Sequence, residues 1–444
     1  MPSIYENNLK AIADAIRAMD GTTALIPANK FAERILAIST IPDNMRTITL
    51  SSNDTTLGTV SGGGLVQDGM TVKINASPTA GNQFVEWLEG DVSVSTLQDY
   101  IFQISEDRAL TAKFVEFILS WTKQYTVNDT YKPNSSAPFF YLNNVAILLY
   151  TYYNSGTTEY KMAYSTDCGV TWTMNNSTPS YMIQYLYKSN LFYDSKRKLY
   201  IGFGNYNQVY ISTDGITWVK GKNMPYTGSS IAADKHSMAW NDDIFVCWDG
   251  TSNSIYTATD ISSNDAWTKV FDIPSNYLYH GSYTGCKMVY AFNKFWVFST
   301  DGSSSSNKTR KYMWADENDL TQWTAAELQA PSFSYSTSIF EAFTLNGNMI
   351  LIFNSPSFMF TKDGVTWNTK TISSGKRIRY MYHMCYGSGA YLATLESDNQ
   401  NVWYSTDLIN WKASQALFTV GGIGYANNYN AFIAIGEKAC VALL

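Results

Sequence analysis

Aspartates recur in a repeated turn of this sequence and are candidates for acid–base catalysis. The stretches "STDCGVTW", "STDGITW", "TKDGVTW" and "STDLINW" give the pairs Asp167–Trp172, Asp214–Trp218, Asp363–Trp367 and Asp407–Trp411. A carboxylate in such a turn could serve as a general acid or base. It could instead accept backbone N–H groups across the turn, while Gly supplies a positive φ and Trp packs between neighbouring elements. We interpret these aspartates as structural turn locks.

Other acidic residues in predicted loops could form a catalytic pair. They are Asp249, Asp272, Asp301 and Glu396. Two carboxylates flanking a glycosidic bond can cleave it, although loop carboxylates are usually only solvated. Glycan cleavage therefore stays open as the alternative to binding, and we predict no catalytic residue.

The three histidines, His236, His280 and His383, fall late in predicted loops. They could meet near a central channel and hold a metal, but isolated loop histidines are the simpler interpretation. The sequence contains no P-loop, nucleophile elbow, HExxH motif or nucleotide fingerprint. We predict neither a metal nor a cofactor.

The predicted loops are rich in aromatic residues beside small polar ones. Aromatic rings stack on the C–H faces of sugars, and Tyr with Ser, Gly and Asn is also typical of adaptable protein-binding loops. Many of these rings could instead seal loops against the sheets beneath. The candidate ligand-binding residues are Tyr152, Tyr153, Tyr206, Trp248, Tyr279, Tyr283, Tyr335 and Tyr382.

A repeat must position these residues. The Trp of the turn recurs at positions 172, 218, 267, 323, 367 and 411, each after a strand-like segment and a hairpin. A seventh hairpin, "GYANNYNAFIAIGE", leads into "KACVALL" without a Trp strand, whereas "SWTKQY" at 120–125 has the register of that strand. Residues 118–444 are therefore predicted to form a seven-bladed β-propeller whose last blade is closed by the strand at 120–125.

The repeated turn resembles the Asp-box family, with its Ser/Thr-x-Asp-x-Gly-x-x-Trp pattern. The turns at Asp260, Asp316 and Asp407 lack the Gly. The resemblance implies that the turns lie at the rim, away from a ligand site. Asp-box sialidases also carry three Arg that clamp a carboxylate, but the repeat region has only Arg197, Arg310, Arg377 and Arg379, and its first blade lacks Arg-Ile-Pro. Sialidase activity is therefore not predicted.

Residues 1–42 are predicted to be a helical segment for anchoring and oligomerisation. Leu9, Ile12, Ala13 and Ile16 share one helical face, Gly21 ends that helix, and a second helix is predicted from Pro27. The stretch "LKAIADAIRAMDGTTALIPANKFAERILAI" resembles N-terminal segments of tail and baseplate proteins of phages that infect Gram-positive bacteria. That resemblance implies a partnership with other tail subunits through residues 1–40, and a homotrimer is expected.

Residues 43–117 are predicted to be a small β domain. "RTITL", "MTVKINA", "FVEWL" and "LTAKFVE" alternate as strands do. The Gly-Thr-Val, the Ala-x-Pro-x-x-Gly, the Phe-x-x-Trp and the closing Thr-Ala-x-Phe resemble the divergent internalin-type B-repeat family. The resemblance implies a β-grasp-like spacer or adhesion module without catalysis.

Composition narrows the class to a mainly β protein. Aromatic and charged residues each make up 15%, and the net charge of -6 comes without a basic block. Binding to nucleic acid is therefore not expected. Membrane insertion is not expected either, because the longest apolar run, "VAILLY" at 145–150, is far shorter than the roughly 20 residues of a membrane span, and no signal peptide is visible. Five widely spaced cysteines favour reduced thiols over a disulfide framework.

Three hypotheses follow from these predictions. In the first, the protein is a virion tail protein, assembled in the host cytoplasm, that binds a host surface glycan or protein through the propeller. In the second, the same scaffold is a glycoside hydrolase acting on wall or capsule polysaccharide. In the third, it is a bacterial adhesin exported by another route.

Overall fold

A computed structural model describes most of the chain. The described residues are 4–20, 24–31, 34, 44–79, 81–121, 123–125, 137–154, 156–186, 191–203, 208–225, 236–249, 252–262, 267–274, 277–278, 286–299, 310–328, 339–353, 355–373, 375–378, 383–396, 398, 400–416, 420–436 and 439–443. Contacts divide the chain into two compact units, Met1–Glu116 and Phe117–Leu444.

The first unit begins with helix α1 (Ile4–Asp20). Ala13 and Ile16 on the predicted apolar face are buried, while Ile12 is 43% exposed. After it, a 3-10 turn spans Ala28–Lys30, and the described residues Phe31 and Arg34 that follow are helical. The end of the predicted second helix, like Gly21, lies outside the described residues.

The rest of the first unit is two β-sheets. The five-stranded sheet has the order β3-β1-β8-β5-β6, with β1 and β8 parallel, and the three-stranded sheet has the order β2-β4-β7. The strands are β1 (Met45–Ser52), β2 (Gly58–Ser61), β3 (Gly64–Gln67), β4 (Thr71–Pro78), β5 (Asn82–Glu89), β6 (Val92–Ser95), β7 (Asp99–Gln103) and β8 (Arg108–Glu116).

Buried and exposed residues alternate along strands such as β4 and β8, and the buried side chains of the two sheets form one hydrophobic core. Ile74, Trp87, Ala112 and Phe114 are fully buried in it. Gly58 lies against the Phe114 ring, where an added Cβ would stand 2.5 Å from a ring carbon. The Gly of the Gly-Thr-Val motif is thus required by a close approach of backbone to ring. Among the described residues of 44–116 there is no helix, and the β-grasp expectation is not confirmed.

The described part of the second unit is built from seven small four-stranded antiparallel sheets, named S1 to S7 in chain order. S1 is β10 (Phe139–Leu142), β11 (Val145–Asn154), β12 (Thr157–Ser165) and β13 (Thr173–Met174); S2 is β14 (Leu191–Asp194), β15 (Leu199–Phe203), β16 (Val209–Ser212) and β17 (Val219–Lys220). S3 is β18 (His236–Trp240), β19 (Phe245–Asp249), β20 (Ser254–Ala258) and β21 (Thr268–Asp272); S4 is β22 (Lys287–Ala291), β23 (Lys294–Phe298), β24 (Arg310–Asp316) and β25 (Thr324–Leu328).

The remaining sheets continue the pattern. S5 is β26 (Ile339–Leu345), β27 (Asn348–Phe353), β28 (Ser357–Thr361) and β29 (Asn368–Thr371); S6 is β30 (Met384–Gly387), β31 (Ala390–Ala393), β32 (Asn401–Ser405) and β33 (Lys412–Gln415). S7 is β34 (Val420–Ala426), β35 (Ala431–Gly436), β36 (Ala439–Leu443) and β9 (Lys123–Tyr125). Helix α2 (Ser180–Leu186) lies between S1 and S2. A mainly β unit of many small four-stranded sheets is typical of a β-propeller.

Each sheet packs against the next through a shared apolar core. One cluster joins S1 to S2, and further clusters join S2 to S3, S3 to S4, S4 to S5, S5 to S6 and S6 to S7. Another cluster joins S7 back to S1 through residues such as Ile433 and Leu148. Strands in the middle of a sheet are buried on both faces because a core lies on each side of the sheet. All five residues of β19, the second strand of S3, are buried.

The strand that completes S7 comes from the start of the second unit. In the register of β36 with β9, Cys440 lies opposite Gln124. Just before β9, Phe117 and Trp121 are buried in the core of S6 and S7, and Ser414 Oγ donates to the Leu119 carbonyl at 2.9 Å. The segment that leads into β9 therefore packs between S6 and S7, and β9 completes S7 beside β36.

Candidate functional site

The Asp214 turn has the geometry of a lock. Its Oδ1 accepts hydrogen bonds from the Ser212 hydroxyl at 2.8 Å and from the backbone N–H groups of Ile216 and Thr217 at 2.8 and 2.7 Å. Gly215 takes φ 74°, as the turn requires. Trp218 Nε1 donates back to the Gly215 carbonyl at 3.1 Å. The carboxylate is thus occupied by its own turn.

Three further turns repeat this arrangement. Asp167, Asp363 and Asp407 each accept a Ser or Thr hydroxyl from two residues before and at least one backbone N–H from the turn. In the last turn Leu408 replaces the Gly and adopts φ 63°. Because that side chain is buried, its packing offsets part of the strain of a left-handed conformation. The lock therefore survives without Gly.

The more degenerate turns keep only part of the pattern. Asp260 accepts the N–H and hydroxyl of Ser262, and Asp316 accepts the N–H and side-chain amide of Asn318. Trp323 still donates to a turn carbonyl, that of Leu320, at 2.8 Å. The tryptophan is thus held even where the Asp-Gly sequence is lost.

The tryptophans of the turns each reach into a core shared with the preceding sheet. Trp218 packs in the S1–S2 core, and Trp267, Trp323, Trp367 and Trp411 pack in the next four cores in order. Trp172 packs in the core of S7 and S1. The repeated residue is therefore a wedge between sheets.

The turns keep their carboxylates ionised. At Asp363 the N–H groups of Thr366 and Val365 lower the pKa to about 2. At Asp214 partial burial alone would raise the pKa, but the N–H groups of Thr217 and Ile216 outweigh it and the pKa is lowered. A carboxylate with a lowered pKa and a saturated acceptor is a poor general acid or base near neutral pH.

The candidate carboxylates of S3 lie in one row. Asp249 pairs with Ser254 across β19 and β20, and Ser254 pairs with Asp272 across β20 and β21. Two strand spacings separate the carboxylate-bearing residues, about 9.6 Å between Cα atoms. Asp249 is fully buried and accepts the Ser252 hydroxyl at 2.7 Å, whereas exposed Asp272 accepts Ser254 Oγ at 2.6 Å and pairs with Lys269 at 3.0 Å.

The candidate Glu396 lies in a second polar group, in S6. It forms an ion pair with Arg377 at 2.5 Å, and Lys376 pairs with the buried Asp398 at 3.4 Å. Burial raises the pKa of Asp398, but hydrogen bonds from Trp403 and Asn401 and the charge of Lys376 outweigh it, so the pKa is lowered. Each carboxylate here has its own cation, so neither is suited to donate a proton.

The arginines, histidines and thiols do not form a reactive cluster in the described residues. Arg197 pairs with Asp194 at 2.7 Å, and His383 Nδ1 lies 2.6 Å from Thr394 Oγ1. No group of three metal-ligating side chains occurs in the described part of the chain. Asp301, His280, Arg379 and the side chains of His236, Arg310 and Cys440 lie outside it. The other four cysteines are free.

The candidate aromatic residues that the structure describes differ in their exposure to solvent. Tyr153 is 71% exposed near the end of β11. Trp248 is buried inside β19 and its Nε1 donates to Asn253 Oδ1 at 3.1 Å, so its prediction as a ligand-binding loop residue is wrong. An inner strand buried on both faces explains the error. Tyr206, Tyr279, Tyr283, Tyr335, Tyr382 and the side chain of Tyr152 lie outside the described residues.

Sequence reasoning missed one feature, the length of the β11–β12 hairpin. β11 has 10 residues, whereas the second strands of S2 to S7 have four to six. β12 has 9 residues, whereas the third strands of S2 to S7 have four to seven. The signal is present in the sequence as "VAILLYTYYN" and "TTEYKMAYS", two long strand-like runs around a short turn. This hairpin carries Tyr153.

Of the described helices, none is long and apolar enough to cross a membrane. No curated protein matches the chain. Among solved structures, the chain is similar to YCF48 from Cyanidioschyzon merolae, at 13% identity and TM-score 0.45 over 73% of this chain and 98% of that one. It is also similar to PorZ of Porphyromonas gingivalis, at 7% identity and TM-score 0.46 over 90% of this chain and 57% of that one.

A third similar structure is the α-L-arabinanase of Penicillium chrysogenum complexed with arabinobiose, at 13% identity and TM-score 0.38 over 73% of this chain and 98% of that one. At such scores these likenesses carry no inference about activity. At the level of family, residues 48–117 match the divergent InlB B-repeat domain.

Proposed function

We propose that residues 117–444 close into a seven-bladed β-propeller in which S1 to S7 are the blades. The seven shared cores support this, because every sheet contributes to two of them and S7 shares one with S1. The pairing of β9 with β36 supports closure by a strand from before S1. A closed ring leaves no sheet edge between first and last blades.

The propeller's function in this proposal is binding: the protein is a virion tail protein that attaches to a host surface glycan or protein. One observation carries the choice of binding over catalysis. Each described candidate carboxylate of the ring has a hydrogen-bond donor or a cation that fixes it, from the Asp214 turn to Asp272 and Glu396. A hydrolase needs an acid and a base with separated pKa values facing a substrate.

The first unit supplies the attachment to the particle. Helix α1 is amphipathic and leaves Ile12 exposed, so this helix has apolar surface for tail subunits or for two further copies in a trimer. The B-repeat domain at 48–117 acts as a spacer. Deleting residues 1–40 should leave the propeller folded and abolish incorporation into particles; normal incorporation would contradict the anchor.

A polysaccharide assay tests binding against catalysis. Purified full-length protein is incubated with wall polysaccharide from a panel of Gram-positive bacteria, and both retained protein and new reducing ends are measured. We expect retention by at least one polysaccharide with a constant number of reducing ends. Steady release of reducing ends would overturn the proposal in favour of a hydrolase.

The row Asp249–Ser254–Asp272 is the feature that favours the alternative, a glycoside hydrolase. Its two aspartates lie in one row, two strand spacings apart, and a pair of carboxylates is the side-chain set that such enzymes use. If reducing ends do appear, Asp272→Asn should abolish their release, because Asp272 is the member of the pair that a substrate can reach. Release that survives this substitution would exclude the row as the active site.

A further inference from the structure

The β11–β12 hairpin extends beyond the rest of its sheet. The outer strands of S1 reach only part of its length: β10 pairs with residues 145–148 and β13 with residues 163–164. Residues 151–154 and 157–160 continue as a two-stranded ribbon with no third described strand. At about 3.3 Å per residue the ribbon is about 13 Å long.

Helix α2 supports the base of this ribbon. Met182, Ile183 and Leu186 of α2 pack in the same core as Leu149 and Met162, the residues where the ribbon leaves the sheet. A ribbon with a packed base is held in one direction, although an isolated hairpin would be only marginally stable. The base of the ribbon is thus anchored in the S1–S2 core.

Register sorts the side chains of the ribbon onto two faces. Opposite residues of an antiparallel pair share a face, so Thr151 with Tyr160 and Tyr153 with Thr158 lie on the face that begins with Leu149 and Met162. Burial falls steadily along this face, from the core to the half-buried pair and then to the exposed pair. We name these four residues the hydroxyl face.

The hydroxyl face has no charge. Its exposed pair, Tyr153 and Thr158, provides an aromatic ring and two hydroxyl groups, and each hydroxyl can donate and accept a hydrogen bond. The Tyr160 ring is half-buried against the S1–S2 core. The charged residue of the ribbon, Glu159, lies on the opposite face and pairs at 2.7 Å with Lys161, which directly follows the ribbon on the same face as Glu159. An acidic polymer would require Arg or Lys on the contact surface.

We propose that the hydroxyl face of the β11–β12 ribbon is the receptor contact and that its ligand is a neutral glycan. The exposed Tyr153 ring stacks on the C–H face of a sugar, and the Tyr153 and Thr158 hydroxyls exchange hydrogen bonds with sugar hydroxyls. This inference rests on the proposed binding function and adds the binding element and the ligand class.

Paired tyrosine variants test the inference in the full chain. Tyr153→Ala removes the exposed ring of the ribbon, and Tyr429→Ala removes a ring that is 43% exposed on a hairpin near Tyr141, at the other end of S1. Binding is measured on an array of neutral hexose and N-acetylhexosamine oligosaccharides, with sialylated and phosphorylated counterparts and a protein fraction of the cell envelope. Both variants should keep the melting temperature of the parent.

We expect the parent to bind neutral oligosaccharides, Tyr153→Ala to lose at least tenfold in affinity, and Tyr429→Ala to bind as the parent does. Equal binding by Tyr153→Ala and the parent would overturn the ribbon site while leaving the binding function intact. Binding only to charged sugars or only to the protein fraction would overturn the neutral-glycan class. Binding to no member of the array would contradict the proposed binding function itself.

Discussion

Replacing Asp214 by alanine should destabilise the propeller and leave ligand binding unchanged. The substitution removes one acceptor of three short hydrogen bonds, from Ser212, Ile216 and Thr217. Water can replace part of them because the turn is exposed, and Ser212 Oγ keeps its bond from the Gly215 N–H. Loss of a comparable side-chain acceptor at a helix N-cap costs about 0.5–2 kcal/mol, so we expect about 2 kcal/mol for three bonds to a carboxylate.

For a unit of this length, about 2 kcal/mol lowers the melting temperature by about 3 °C. The assay is thermal and denaturant unfolding of the full chain followed by tryptophan fluorescence. Asp242→Ala is the matched control, because Asp242 is exposed and its ion pair with Lys196 is 3.9 Å long, so its effect should stay within about 0.5 kcal/mol. A fully stable Asp214→Ala that no longer binds polysaccharide would refute the turn-lock interpretation.

Three further predictions test the scaffold. The pKa of Asp363 is about 2 in the folded state, below its ordinary value, so acid titration should show its stabilisation present above about pH 4 and lost as the pH falls towards 2; Asp363→Asn should flatten that part of the profile, and an unchanged profile would contradict the turn geometry. Trp248→Ala should lower the free energy of unfolding, measured by urea titration, by about 3–5 kcal/mol, because it removes a fully buried ring. A variant that is as stable as the parent but binds ligand weakly would instead indicate that Trp248 contacts the ligand. Gly387→Ala should strongly lower the free energy of unfolding in the same titration, because the added Cβ would lie 2.1 Å from the ring of Tyr425, which belongs to the neighbouring sheet S7. A variant as stable as the parent would contradict this close packing of S6 against S7.

Repeat spacing is the strongest signal in the sequence. The tryptophans of the turns mark one sheet each, and the missing strand after "KACVALL" predicts a partner near Trp121, where β9 pairs with β36. The Asp-Gly-x-x-Trp turn is also readable, because Gly at positive φ and an acceptor two residues after Ser or Thr describe a local structure that needs no tertiary information.

Strand ends and burial are harder to predict. Trp248 stands before "DG", a turn signal that favours a loop, but β19 is buried along its whole length and gives no alternation to mark where the strand ends. The pairing of Asp249 with Asp272 through Ser254 needs the register of three strands, which no local pattern contains.

The candidate ligand site is predictable only as a list of residue types. Tyr153 is among the aromatic candidates, yet its exposure depends on a hairpin longer than those of the other sheets and on support from α2. Hydroxyl and charged residues alternate in "TTEYK", but their separation onto two faces follows from the register with β11.

Closure of the propeller is tested most directly by a disulfide between its first and last strands. Gln124 lies opposite Cys440 in the β36–β9 pair, and opposite residues in such a pair have Cα atoms about 4.5–5.5 Å apart, within the range of a disulfide. In the full chain, Gln124→Cys should form an intramolecular disulfide with Cys440 under mild oxidation, measured by mass spectrometry of the unreduced peptides, and Gln124→Ser should not. If the introduced thiol stays reduced or joins only other cysteines, the ring is not closed by this strand.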